Sequence, residues 1–359
     1  MTIQQSQFSP GDGFSLPGRC HVSVVIKALN EEDKIAAAIE SALTAVSAVG
    51  GEVILADSCS TDRTIEIASR YPILIAQLAT PGERCCGVGP QLGYQHARGE
   101  YVYILDGDMR MEPDFLPKAL ALLQSMPGVA GVAGQLVETN TDSLEYRSRA
   151  ERIAREKNLG EVDRLDGGGL YRRKAVEQAG YFSDRNFHSY EEFDLGVRLR
   201  AAGWKLFRID AIAVSHRGHD TPPYQLLRRR WRSRYICGLG ELLRASWGTP
   251  RLRLVVKEVK ELKLYAAVMA WWALLLIVAI LPVAWPARAV AFAALLFGPV
   301  ALMALRKRSI DRALFAVVSW SFHAAGLVRG LCSPRKPPQE PIASVLLGRN
   351  VEAVAKTAA

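Results

Sequence analysis

Five apolar residues, Tyr101-Val102-Tyr103-Ile104-Leu105, run directly into Asp106-Gly107-Asp108. A short unbroken apolar run fits a strand covered on both faces, and such strands belong to parallel sheets layered between helices. Ligands of open α/β sheets collect beyond the carboxyl ends of the strands, where this pair of carboxylates falls. Two hard oxygen ligands suit magnesium or manganese, ions that commonly hold a phosphate as well. Asp and Gly are also ordinary turn residues, so the triplet by itself also reads as an acidic turn.

The flanking sequence repeats a strand, a loop and a helix, the pattern of a parallel sheet with helices on both faces. Residues 22–26, 53–56 and 73–75 read as strands. Asp33 reads as the cap of a helix reaching about residue 49, with Ile35, Ile39, Ala42, Leu43 and Val46 on one face. Residues 64–70 start a second helix. The glycine-rich stretch 82–99 lacks the spacing of a dinucleotide fingerprint, and 91–97 reads better as a helix packed before the strand that ends at Asp106. Further on, 113–125 reads as a helix, 129–137 as a strand and 139–164 as an exposed helix. Asp166-Gly167-Gly168-Gly169 is a turn that feeds Arg172 and Arg173; its glycines allow a close backbone approach to a ligand or simply a flexible loop. Glu191, Glu192 and Asp194 open another helix. There they complement the helix dipole or supply a general base.

Hydrophobic residues make up 49% of the 359, and the apolar excess lies after Tyr265, so a soluble part is followed by a membrane part. Residues 266–285 and 289–305 read as spans separated by Pro286, with Arg306-Lys307-Arg308 as a cytoplasmic marker. A third segment, 313–331, is weakened by Ser319, Ser321, His323 and Arg329. Spanning there would place Arg335 and Lys336 outside, against the positive-inside tendency, so its topology stays open. Residues 224–247 read as one helix with arginines crowded at its start, and 251–265 as a basic amphipathic helix suited to anionic headgroups. With the net charge of +9, this basic collar points to a lipid surface rather than nucleic acid. The six cysteines form no CxxC or Cys/His set and read as reduced thiols. Residues 1–18 lack the pattern of a signal peptide, which keeps the first domain in the cytoplasm.

Taken in order, these motifs resemble the family 2 glycosyltransferases, whose nucleotide-sugar-binding domain has the α/β GT-A fold, Rossmann-like in outline. The resemblance covers about residues 22–217. Val24-Val25-Ile26-Lys27-Ala28-Leu29-Asn30-Glu31 is similar to the first strand and nucleotide loop, with Lys27 where proline is usual. Residues 56–64 are similar to the second nucleotide loop, with Ser58 and Cys59 replacing its usual aspartate and glycine. Asp106-Gly107-Asp108 resembles the DxD motif, 166–173 the donor and acceptor loop, and Glu191-Glu192-Phe193-Asp194 the acidic signature of the catalytic base. Arg230-Trp231 resembles the end of the processive Q-x-x-R-W motif, but Leu227 holds the glutamine position, so processive polymerisation is not inferred.

The resemblance implies a membrane-bound, metal-dependent, inverting transferase. It would move a sugar from a nucleoside diphosphate sugar, with UDP favoured, to a lipid-linked saccharide in exopolysaccharide or lipopolysaccharide synthesis. Nucleotide contacts would come from Ala28, Asn30, Glu31, Asp57 and Asp106. Asp108, Asp106 and His216 would hold Mg or Mn, with His216 alternatively a donor to the diphosphate. Glu192 would be the base, with Glu191 as the alternative. Gly168, Gly169, Arg172, Arg173, Asp194, Arg230 and Trp231 would line the donor and acceptor loops, and Arg172 or Arg173 would add a fork of donors to phosphate oxygens. The implied organisation is a flexible tail over 1–20, the GT-A domain over 21–222, interface helices over 223–265, a membrane domain over 266–331 in the inner membrane, and a tail over 332–359 with room for a short helix. The competing readings are a polyprenyl-phosphate glycosyl synthase and a non-catalytic nucleotide-binding membrane subunit.

Overall fold

The computed structural model describes residues 21–139, 159–216 and 221–347. The expected tail over 1–20 and most of the expected helix over 139–164 lie outside the described residues. The chain divides into two units. The first comprises Met1–Asn186, Glu191–Asp220 and Lys336–Ala359, and the second comprises Phe187–Tyr190 and Thr221–Arg335.

The first unit is built on a mixed sheet. Strands β1 (Val22–Ala28), β2 (Gly51–Asp57), β3 (Leu74–Leu78) and β4 (Tyr101–Asp106) form its parallel half. β1 is the centre of that half, with Lys27 paired to Ala56 on one side and Asp106 on the other. All three strands therefore end at one edge of the unit. Apart from the parallel pair of β6 with β9, the remaining strands depart from the parallel pattern expected from sequence. They are β5 (Met109–Met111), β6 (Val129–Glu138), β7 (Gly160–Val162), β8 (Gly169–Arg172), β9 (Lys205–His216) and β10 (Ser344–Leu347). β8 runs antiparallel to both β4 and β6, and β5 runs antiparallel to β9. The sheet order is β10-β3-β2-β1-β4-β8-β6-β9-β5, with β7 beside β9. β7 lies within the stretch expected to be helical.

Helices α1 (Ile35–Ser47), α2 (Thr64–Ala68), α3 (Val88–His96), α4 (Phe115–Ser125), α5 (Arg173–Gln178) and α6 (Glu191–Ala201) pack on this sheet. α1 buries Ile35, Ala38, Ile39, Ala42 and Val46, a helical spacing, and each large aliphatic contributes about 1.5–3 kcal/mol. Its cap is Lys34 and makes no side-chain bond; Asp33 does not cap it. α3 approaches β1 closely because a Cβ on Gly93 would lie 2.1 Å from Val25 Cγ1. The glycines of that stretch thus serve helix-on-sheet packing.

α6 is fastened by a buried ion pair. Arg198 Nε donates to Asp194 at 2.6 Å, its other nitrogens donate to the carbonyls of Tyr181 and Phe182, and its guanidinium lies over the Tyr181 ring. Both side chains are almost fully enclosed. Asp194 is accordingly directed into packing rather than toward a donor or acceptor.

The second unit is helical. α7 (Pro223–Arg232), a short 3-10 turn (Tyr235–Cys237) and α8 (Gly238–Ser246) replace the single helix expected over 224–247. The break falls at Arg234, whose φ is +62°, a conformation that a continuous helix does not allow. α9 (Arg251–Glu258) and α10 (Glu261–Ile280) are likewise separate, because Val259 is extended (ψ 90°). α11 (Trp285–Lys307) begins with Pro286 in its first turn, where proline starts a helix rather than breaking one. α12 (Ile310–Leu331) completes the set. Three helices, α10, α11 and α12, are long and apolar enough to cross a membrane. Within this unit Arg230 lies over the Tyr235 ring, and Trp231 meets Phe322 edge-on with Arg329 over its face.

The C-terminal segment belongs to the first unit. In place of the expected short helix, the described part of the tail forms β10, antiparallel to β3. The described cysteines form no disulfide among the described residues.

Replacing Asp194 with Ala should cost about 3–5 kcal/mol, because Arg198 would remain charged and buried without its carboxylate. Denaturant unfolding of Asp194→Ala against the parent protein measures this, and an unchanged midpoint would refute the role given to the pair.

Candidate active site

The candidate site forms beyond the ends of β1, β2 and β4. Two loops leave β1 and β2 side by side and are sewn together by their own polar groups. Ser58 N donates to Ala28 O, Asn30 N donates to Ser60 Oγ, and Thr61 N donates to Asn30 Oδ1, at 2.7–2.9 Å. Glu31 N reaches Thr64 Oγ1 at 2.8 Å and Glu32 N reaches Asp62 at 3.0 Å. Asn30 and Cys59 both hold φ of +59°, which asparagine tolerates better than most residues. Asp57 is fully buried. Its Oδ2 accepts from Ser60 N and from Gln77 Nε2, while Oδ1 has no partner among the described residues. An unsatisfied buried carboxylate oxygen at the end of β2 fits the waiting acceptor of a ligand N–H group.

The Asp106-Gly107-Asp108 turn separates two clusters of charge. On one side Lys27 Nζ lies 2.9 Å from Asp106 and 3.6 Å from Glu191. Burial alone would lower the Lys27 pKa, but Asp106, Glu191 and Glu192 together hold it well above its ordinary value. Burial pushes Glu192 up to about 8, with the neighbouring Glu191, Asp166 and Asp106 adding to the effect and Lys27 opposing it. Lys27, Gly168, Tyr171, Ser183, Glu191 and Glu192 line a narrow cavity of about 20 Å³. Tyr190, the residue before α6, holds a φ of +69°.

On the other side, β5 and β9 pair so that Met109 faces His216, and β6 pairs with β9 so that Glu138 faces His216. These registers bring Asp108 Oδ2 to 3.1 Å from His216 Nε2 and Glu138 Oε2 to 2.6 Å from His216 Nδ1. Burial would lower the His216 pKa, but its bonds to Asp108 and Glu138 raise it. Thr139 holds the His216 carbonyl through both its N–H and its hydroxyl. Lys34 Nζ is 3.9 Å from Asp108. Burial and the charge of Asp108 push Glu31 up to about 7, against the pull of Lys34. A cavity of about 290 Å³ opens here, lined by Asp33, Lys34, Asp108, Arg110, Thr139 and Ser215 among others.

Among the described residues no three His, Cys, Asp or Glu side chains are placed to hold a metal ion by themselves. Asp108 and His216 nevertheless fit a divalent ion that takes its other ligands from phosphate oxygens and water. Glu138 on the far ring nitrogen is the carboxylate that commonly orients a metal-bound histidine. Asp106 is committed to Lys27 instead.

The two loop arginines lie elsewhere. Arg172 pairs with Tyr101 at the start of β4, the end opposite Asp106, and donates to the carbonyls of Leu123 and Val129. Arg173 donates to the carbonyls of Ala97 and Gly99. Their donors fasten backbone and do not form the phosphate fork expected from sequence. Gly168 does lie at the site. Its φ is +97°, and a Cβ there would sit 2.6 Å from Ile104 O and 3.0 Å from the Tyr103 hydroxyl; Gly169 opens β8. Arg230 and Trp231 belong to the second unit. The sequence reading noted Lys27 only as a departure and passed over Lys34 and Glu138. A lysine in an otherwise apolar strand was the signal for the first, whereas Glu138 needs the β6–β9 register, which no local pattern reveals.

A mixed α/β sheet with acidic groups and paired loops at the ends of its parallel strands is the arrangement of the GT-A fold. Residues 23–180 match the family described as glycosyl transferase family 2. It is 28% identical over 156 residues to glucomannan 4-beta-mannosyltransferase 2 of Arabidopsis thaliana, covering 40% of this chain and 28% of that protein. It is 32% identical over 146 residues to the succinoglycan biosynthesis protein ExoO of Rhizobium meliloti, covering 40% of each. The matches thus span well under half of these relatives. A mannosyltransferase from Pyrobaculum calidifontis, solved with GDP-Man and Mn2+, shares the fold with a TM-score of 0.53 and 18% identity over 88% of each chain.

Gly168→Ala should destabilise the protein by about 1–3 kcal/mol, since it combines a left-handed backbone with a carbonyl collision. A thermal melt of the variant checks this, and an unchanged melting temperature would contradict the crowding.

Proposed function

We propose that this protein is a membrane-associated, inverting glycosyltransferase that uses a nucleoside diphosphate sugar and a divalent cation. The observation that carries the reading is the position of the Asp106-Gly107-Asp108 turn. One of its carboxylates touches the Lys27–Glu191 cluster, and the other touches His216 beside a cavity large enough for a diphosphate.

In this reading Asp57 and the Asn30 loop take the nucleotide base and ribose. Asp108 and His216 hold Mg or Mn, with Glu138 orienting the imidazole. When bound, the ion offsets the negative charge that the leaving diphosphate gains. Lys34 adds a second positive charge on the same side of the turn. Glu192 takes the proton of an acceptor hydroxyl as that oxygen attacks the anomeric carbon and the diphosphate leaves from the opposite face. A single displacement of this kind inverts the anomeric centre. The ~8 pKa of Glu192 makes it a base strong enough to matter near neutral pH. Lys27 offsets the mutual repulsion of the carboxylates and so opposes proton uptake by Glu192. Helices suited to a bilayer support an acceptor presented on lipid, such as a polyprenyl-linked saccharide, with the GT-A domain in the cytoplasm.

The sequence reading favours UDP, and the mannosyltransferases among the relatives make GDP-mannose the other donor to test. Purified protein incubated with a panel of nucleotide sugars, Mg or Mn and lipid-linked acceptor should turn over one donor. Asp108→Ala should abolish that turnover; full activity in this variant sinks the assignment. Glu138→Gln should weaken Mn2+ binding by about 10–100-fold, read by calorimetry with the nucleoside diphosphate present. Equal affinity would remove Glu138 from the site.

The pH profile supplies a further check. A base must be ionised to act, so kcat/KM should fall as pH drops through the Glu192 pKa of about 8. Removing the Lys27 charge removes a cation that pulls this pKa down. The acid limb of Lys27→Met should therefore move to higher pH by about one pH unit or more. A limb that stays in place would show that Lys27 does not act on Glu192.

A further inference from the structure

We propose that α10 and α11 cross the bilayer as a two-pass hairpin and that α12, although long enough, does not cross. This rests on the membrane association proposed above and adds the number and identity of the crossings.

The chain leaves the first unit before α7 and returns to it at Lys336. The return is part of that unit's fold. Lys336 Nζ bonds Glu83 at 2.7 Å, and Lys336 N bonds Asn186 Oδ1 at 2.8 Å. Arg185 donates to the carbonyls of Glu340 and Pro341. Ile342 exchanges two hydrogen bonds with the Gln95 side chain and is 2% exposed within the core. β10 then adds to β3 with Val345 opposite Gln77. A folded domain occupies one side of a bilayer, so the chain between its parts crosses an even number of times. Three crossings are excluded.

Helix α12 is the one set apart. A third of its apolar stretch is buried inside the protein, against 11% for α10 and none for α11. It packs backbone to backbone on the 3-10 turn and α8. A Cβ on Gly326 would lie 2.5 Å from Ile236 O, one on Gly330 2.1 Å from Cys237 O, and one on Gly240 2.0 Å from Leu327 O. Arg329 donates to Trp231 O at 3.1 Å and lies over its ring. The neighbouring α7 carries Arg228, Arg229, Arg230 and Arg232, each costing about 2.5–3.5 kcal/mol at the centre of a bilayer, so a helix fixed along it stays out of the hydrocarbon. From Leu331 to Lys336 the chain extends at most about 18 Å, less than the roughly 30 Å of hydrocarbon. The end of α12 is therefore tethered to the side on which the first unit lies.

The charges agree with a hairpin. Lys257, Lys260 and Lys263 precede or open α10, Arg306 and Lys307 close α11, and Arg308 and Arg312 follow it, whereas Arg288 is the sole charge between Leu281 and Val290. Basic residues thus gather at the open end and are sparse at the turn, as the positive-inside rule requires of two crossings. Exposed Leu276, Ile280, Phe297, Leu302 and Leu305 supply the lipid-facing surface.

The test uses the full chain in native membranes, with single epitope tags at the N-terminus, after Val283, after Arg308 or at the C-terminus. Each tag is probed by antibody on sealed right-side-out and inverted vesicles, and a separate carbonate wash of the same membranes tests integral association. The hairpin expects the N-terminal, Arg308 and C-terminal tags on one face and the Val283 tag on the other. N- and C-terminal tags on opposite faces, an Arg308 tag across from the C-terminus, or a Val283 tag on the same face as the others would each overturn it. Release of the protein by carbonate would overturn both this topology and the membrane reading beneath it, which separates the two failures. Independently, a Gln77→Cys, Val345→Cys pair should cross-link under mild oxidant in membranes. Absence of the cross-link would remove the returning strand on which the parity depends.

Discussion

The candidate site depends on keeping several carboxylates close together in a confined space. Glu31, Asp106, Asp108, Glu191 and Glu192 all project around one turn, where burial and the neighbouring carboxylates push the pKa of Glu31 and of Glu192 up. Two lysines make the arrangement tenable. Lys27 lies between Asp106 and Glu191, and Lys34 faces Asp108. Their placement divides the turn into a basic centre beneath the acidic helix start and a more open acidic side with a histidine. Since Lys27 occupies Asp106, the open coordination falls to Asp108. The two aspartates of one short motif therefore do different work.

The sheet explains why so few residues suffice. Parallel pairing of β1 with β2 and β4 brings Lys27, Asp57 and Asp106 to one level. Antiparallel β5 then turns back at once and meets β9, which delivers His216 to Asp108. Residues more than a hundred positions apart become neighbours through backbone register, and their side chains need only short reaches. Glu138 arrives by the same device from β6.

Much of this was legible in the sequence where the signal was local. The apolar run ending at Asp106, the amphipathic face of α1 and the acidic opening of α6 all follow from spacing, and each element exists near its expected bounds. Asp106, Asp108, His216, Glu191 and Glu192 do converge. What sequence missed was non-local or depended on one backbone angle. Arg172 and Arg173 looked like phosphate donors because a glycine turn precedes them, yet antiparallel pairing of β8 carries them to the far end of β4. The arginine-rich helix of the second unit broke at Arg234 through a single left-handed residue. Nothing within the tail announces that an exposed strand edge, β3, is waiting for it.

That edge has a consequence for biosynthesis. The strand that covers β3 is translated only after every helix of the second unit. Until then the nascent domain presents an unpaired edge, the feature most prone to pairing with the wrong chain. Maturation of the soluble sheet thus waits on the apolar helices emerging and being housed, so the order of synthesis itself links completion of the domain to its delivery to lipid.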